Sequence, residues 1–212
     1  MSTLVGEFLP ISQSDCEAFR TVALLSRMTE RIETLRETLR KEAEKAGADN
    51  SSKLMFGLFN LVANNASDVL ESKTNVEDAL DMFEQIIEEQ PNYWLAKMYK
   101  IRIQLMLPNS FRDEDEIIEE IMDMIEQQKK GEFRPYYVIP YLLISGLYWS
   151  FGESEKAKEY IAEAKKLEAS PITVISDFLI LIFDDLETKL RSSGEHESAN
   201  DVLELKNKYF KM

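Results

Sequence analysis

Apolar positions along this chain recur at helical spacing almost from end to end. Leu25, Met28, Ile32, Leu35 and Leu39 follow one another at intervals of three and four. Between them lie Arg27, Glu30, Arg31, Glu33, Arg36, Glu37 and Arg40. This is a heptad seam beside a solvated, mixed-charge face. Ser14 with Glu17 three residues later reads as a capping box. The spacing therefore predicts one long helix over residues 15–46, behind a flexible arm at 1–14 that has no period of its own. Residues 47–52, Gly-Ala-Asp-Asn-Ser-Ser, form a breaker.

The stretch 53–72 carries Leu54, Met55, Phe56, Leu58, Phe59, Leu61 and Val62, apolar on nearly every side. Such a helix belongs in the middle of a core. Further helices are expected at 76–90, 92–106, 113–128, 136–151, 154–168, 171–192 and 195–211. Their separators are Thr74-Asn75, Pro91, Pro108-Asn109-Ser110, a connection at 129–135, Gly152, Pro171 and Gly194. No segment alternates apolar and polar residues for long, so no sheet is expected. The sum is about nine helices: one long helix, then four hairpins over 53–212.

These hairpins repeat. Ala79 is followed by Phe83, Ile86 and Pro91 at +4, +7 and +12. Ala157 is followed by Ile161 and Ala164 at +4 and +7, and preceded by Gly152, Tyr148, Ser145, Ile144 and Tyr141. Ala199 has Leu203 at +4, with Gly194, Leu190, Leu186 and Phe183 upstream at the matching distances. Small residues suit close helix crossings, large apolar ones fill the space between, and glycine at −5 ends a helix in a left-handed turn. The pattern resembles the tetratricopeptide repeat family, most fully from Tyr141 to Ala164. The likeness implies an all-α solenoid of helical hairpins with a concave groove. It implies binding of a peptide or protein segment there, and no catalytic chemistry. In that geometry Leu142 and Trp149 fall on the groove side.

Composition and charge narrow the partners. Glycine (7) and proline (6) are scarce, and the formal net charge is −14. A surface so acidic disfavours nucleic acid and anionic membranes. The longest apolar run, residues 178–183, is far short of a membrane span. The first residues lack a basic stretch followed by an apolar one, so no signal peptide is expected and a cytoplasmic location is the default. A single cysteine, Cys16, excludes an internal disulfide.

Candidate chemistry is thin. His196 is the sole histidine, with no ligand motif around it. Asp113, Glu114, Asp115, Glu116, Glu119, Glu120 and Asp123 crowd one stretch, and Asp184-Asp185-Leu186-Glu187 is a second acidic run. An all-helical metal-dependent hydrolase or transferase is the alternative they leave open. Against the acidic background, Lys97, Lys100 and Gln104 form a stripe with Arg102 beside it, suited to clamping an acidic group. Leu25, Met28, Ile32, Leu35 and Leu39 are candidates for homodimerisation, leaving a structural dimer as a third reading. The leading expectation is a non-catalytic scaffold (adaptor, chaperone or regulatory subunit) without cofactor or metal. Lys97, Lys100, Arg102, Gln104, Leu142 and Trp149 are its expected partner-binding residues.

Overall fold

A computed structural model describes residues 7–63, 69–107, 112–168 and 170–210, apart from the side chains of residue 29 and residues 69–72. Ten α-helices are formed among these residues: α1 Gln13–Leu25, α2 Ile32–Ala43, α3 Asn50–Val62, α4 Val69–Glu89, α5 Trp94–Met106, α6 Glu114–Gln128, α7 Ile139–Ser150, α8 Ser154–Lys166, α9 Ser176–Ser192 and α10 His196–Tyr209. Short 3-10 turns at Thr29–Arg31 and Pro135–Val138 precede α2 and α7. Among the described residues the sole β feature is an isolated parallel bridge between Leu9 and Tyr93. The chain divides into two units, residues 1–106 and 107–212.

In unit 1, α3 is the central helix. Leu54, Phe56, Leu58 and Phe59 are buried around its circumference, and α1, α2 and α4 all pack on it. This arrangement explains why the expected helix over 15–46 is two helices. A straight rod of 32 residues is about 48 Å long, whereas the 13 residues of α3 span about 20 Å. The rod could touch α3 only in passing. Breaking it lets Phe19 and Val22 of α1 bury on one side and Ile32 of α2 on another. At the break, Ser26 Oγ donates to the Ala23 carbonyl at 3.3 Å, drawing the chain out of the helix. The heptad positions part company as a result. Ile32 is buried, Leu25 and Leu35 are half-buried, Leu39 packs against Ala43, Phe56 and Met82, and Met28 is exposed.

Other boundaries also move. The cap of α1 is Ser12 rather than Ser14. Its hydroxyl accepts from the Asp15 N–H at 3.1 Å, and the Asp15 carboxylate accepts from the Ser12 N–H at 2.8 Å. Residues 7–12 are therefore held, not loose: Phe8 is buried and the Leu9 N–H donates to the Asn92 carbonyl at 2.8 Å. The remainder of the expected arm, residues 1–6, lies outside the described residues, as does the breaker at 108–110. Asp49 caps α3 by accepting from the Ser52 N–H at 2.8 Å. Thr74 and Asn75, expected as a turn, lie inside α4, where Asn75 is buried.

In unit 2, α7 pairs with α8 and α9 with α10. The two hairpins stack, α7 on α9 and α8 on α10. α6 covers α7. Helix α9 begins five residues after Pro171. The Ile172 N–H is first tied to the Tyr209 carbonyl at 2.8 Å, and its side chain is buried. The chain reaches α9 only through Ile175, which sits in the left-handed region at φ 42°.

Candidate functional site

The two glycines of the repeat lie at the ends of the two hairpins of unit 2. Gly152 follows α7 at φ 75° and Gly194 follows α9 at φ 83°. Each closes its helix with the same pair of hydrogen bonds. Gly152 and Glu153 N–H donate to the Trp149 and Tyr148 carbonyls, both at 3.0 Å. Gly194 and Glu195 N–H donate to the Arg191 and Leu190 carbonyls at 3.2 and 3.0 Å. This is the Schellman closure, and its left-handed residue is the reason each position is glycine. The small residues behave as their positions demand: Ala157, Ala164 and Ala199 are fully buried at helix crossings. Ser145 is buried too, its hydroxyl donating to the Ala157 carbonyl at 2.9 Å.

Trp149 lies at this end, half-buried, its indole N–H directed to the Ser193 hydroxyl at 3.4 Å, a long bond. Leu142, expected beside it on an open face, is 1% exposed and belongs to the core. Along the two hairpins the surface carries charged pairs. Arg191 donates to Glu187 at 2.9 Å, and Lys206 to Asp184 at 2.5 Å. Lys165 bonds Asp201 and lies 3.4 Å from Glu204, so its pKa is held above the usual lysine range, first by the hydrogen bond to Asp201.

The basic stripe belongs to unit 1. Helix α5 buries Trp94, Leu95, Ala96, Met98, Tyr99, Ile101 and Ile103. Lys97, Lys100, Arg102 and Gln104 are all half-buried along it, not spread on an open face. The Lys97 ammonium lies 5.6 Å from the centre of the Phe8 ring, so the N-terminal segment covers that end of the stripe. Gln104 Oε1 is buried and accepts no hydrogen bond among the described residues.

A feature of unit 1 absent from the sequence expectations is a cleft of about 550 Å³, lined among others by Leu9, Ser12, Asp15, Asp49, Asn50 and Tyr93. The caps of α1 and α3 meet there. Buried Asp15 accepts the Tyr93 phenol proton as well as the Ser12 N–H. Burial, and then the Asp15 hydrogen bond and charge, push the Tyr93 pKa well above its usual value. Ser-x-x-Asp at 12–15 was the available sequence signal, but its overlap with Ser-x-x-Glu at 14–17 concealed it. Three carboxylates line the cleft: Asp15 and Asp49 serve the caps of α1 and α3, and Glu89 accepts from the Lys53 ammonium.

His196 is exposed at the start of α10, and Cys16 is half-buried and outside any disulfide. Asp113 is the N-cap of α6, accepting from the Glu116 N–H at 3.1 Å, and Glu114 pairs with Arg112 at 3.1 Å. Among the described residues, no three His, Cys, Asp or Glu side chains gather closely enough to hold a metal ion. No described helix is long and apolar enough to cross a membrane. No protein-family model matches the sequence, and no curated protein or solved structure matches it.

Proposed function

We propose that the chain is a non-catalytic protein-interaction scaffold of the tetratricopeptide-like kind, and that unit 2 engages a peptide or protein segment through the hairpin ends around Trp149. The observation that carries this reading is the repetition at 42 residues. The same glycine-closed hairpin is made twice and laid side by side, so that α7 and α9 bring Trp149 and Ser193 together. Repeated hairpins extend a surface rather than enclose a pocket, and extended surfaces suit macromolecular partners. A half-buried tryptophan with a weakly held N–H is a suitable anchor, because a partner gains area and offers a better acceptor. The proposed setting is the cytoplasm. Lys97, Lys100, Arg102 and Gln104 remain secondary candidates, for an acidic group meeting unit 1.

The test is affinity capture from the source cells with the native chain and with Trp149→Ala. Both chains are first matched by circular dichroism and thermal midpoint. The captured protein is then purified and titrated against each form. Binding weakened at least tenfold by the substitution supports the reading. Undiminished binding, or no specific capture by the native chain, overturns it.

A further inference from the structure

Two exposed surfaces carry opposite charge around an apolar centre. The first is the corner between α1 and α2. Leu24 is 64% exposed and Met28 45%, the most conspicuous apolar exposure in that part of the chain. Arg20, Arg27 and Arg31 surround them, all exposed. The corner is continuous: the Arg27 N–H bonds the Leu24 carbonyl at 3.3 Å and the Arg31 N–H bonds the Met28 carbonyl at 3.1 Å. None of these three guanidiniums has an ion-pair or hydrogen-bond partner among the described residues, although most exposed lysines in this acidic chain do. Between residues 20 and 31 the only acid is Glu30, so the corner is locally basic.

The second surface is the outer stripe of α6. Asp115, Glu119, Met122 and Glu126 are spaced 4, 3 and 4 along the helix, which puts them on one face. All four are exposed, Met122 at 44%. No basic residue lies between positions 113 and 126. The spacings match. Arg20 and Arg27 bracket Leu24, and Glu119 and Glu126 bracket Met122, each pair seven residues apart. Leu24 lies in the last turn of α1 and Arg27 just beyond its end, so an α6 laid across the corner sets Met122 beside Leu24 with its acids among the arginines.

We infer that the chain self-associates head to tail, the arginine-rimmed Leu24–Met28 corner of one copy receiving the acid-rimmed Met122 stripe of α6 from a second copy. The occupant is named by complementarity of charge around an apolar centre. The contact is heterologous, since the two surfaces differ, and an open assembly leaves one surface of each kind unused, one at each end. It is also weak and salt-sensitive, because its ion pairs are exposed. The expected dimerisation seam takes no part except for Met28.

Sedimentation velocity on the full chain over a hundredfold concentration range tests this. At about 20 mM salt, where screening is slight, the weight-average mass rises above the 24.6 kDa of one chain; at about 500 mM salt it returns to that value. Arg20→Glu/Arg27→Glu/Arg31→Glu alone stays monomeric, and so does Asp115→Lys/Glu119→Lys/Glu126→Lys alone. An equimolar mixture of the two associates again, because each supplies the surface the other lacks. A native chain that is monomeric throughout overturns the proposal, as does association that survives either reversal or a mixture that fails to restore it. If a charge variant loses its helical signal, Leu24→Ser and Met122→Ser decide instead. Each weakens association several-fold, and undiminished association in both overturns the proposal.

Discussion

Gly57 on α3 faces Phe83 on α4 so closely that a β-carbon at Gly57 would lie 3.1 Å from the Phe83 ring and 3.4 Å from the Ala79 carbonyl oxygen. Phe83 is fully buried and stacked on Tyr99 at 5.7 Å, so it has little room to retreat. Helix propensity alone would favour Gly57→Ala by about 1 kcal/mol. Overpacking a tight crossing costs about 1–3 kcal/mol and decides the sign. Gly57→Ala is therefore expected to lower the urea midpoint, and Gly57→Val to lower it further.

Asn60, one turn along α3, is 0% exposed, and neither amide atom has a hydrogen-bond partner among the described residues. A buried polar group left unpaired costs about 1–3 kcal/mol. Asn60→Leu, similar in size and apolar, is expected to raise stability by about that amount, measured by urea unfolding at constant m-value. A lowered midpoint would show that the amide is satisfied in solution by something the cost assumes absent.

Gly152 and Gly194 have open space where a β-carbon would go, so substitution there tests backbone strain alone. Placing alanine in the left-handed region costs about 1–2 kcal/mol. Gly152→Ala and Gly194→Ala should each lose that amount, to a similar extent, because the two closures are alike. Thermal unfolding of both variants checks this. A large inequality would speak against equivalence of the two hairpins.

Tyrosine burial sets the response to alkali. Burial pushes the Tyr209 phenol up to about 12, and Tyr93 and Tyr99 are also raised, Tyr99 by burial against an opposing Arg102 charge. A raised folded-state pKa means the native chain binds protons that the unfolded chain has released. Stability then falls as pH rises. The contribution is fully present below about pH 10, the unfolded tyrosine value, and is lost through pH 12 and beyond. The thermal midpoint should drop across that window. Phenolate absorbance should lag behind that of free tyrosine until the chain unfolds.

Where local chemistry decides the structure, the sequence was readable. Glycines at −5 from Ala157 and Ala199 announced the two closures because only glycine takes that backbone cheaply. The mostly apolar 53–62 stretch announced the central helix. Where distant contacts decide, it was not. Met28 and Ile32 share a heptad, yet the need to cover α3 from two sides separates them. Ser12 and Ser14 offer equivalent caps in sequence. Tyr93, 78 residues beyond Asp15, holds the Asp15 carboxylate where Ser12 uses it. Leu142 fits a groove position by register alone, but α7 has too many buried neighbours to present it. The cleft beside Tyr93 joins segments from three parts of the chain, so no local pattern encodes it.

The bond from the Leu9 N–H to the Asn92 carbonyl also fixes an order of events in the cell. The segment that holds Phe8 in place is made 83 residues after Leu9. At a synthesis rate of about 5–20 residues per second, Phe8 waits about 4–17 s for its seat at the start of α5. Until then α1 and α3 can meet, but the cleft lacks a wall and the first apolar residues stay open to chaperones. Unit 1 is thus completed by its last helix rather than grown from its first. A ribosome stalled before α5 emerges would hold a chain whose Phe8 is still unsheltered.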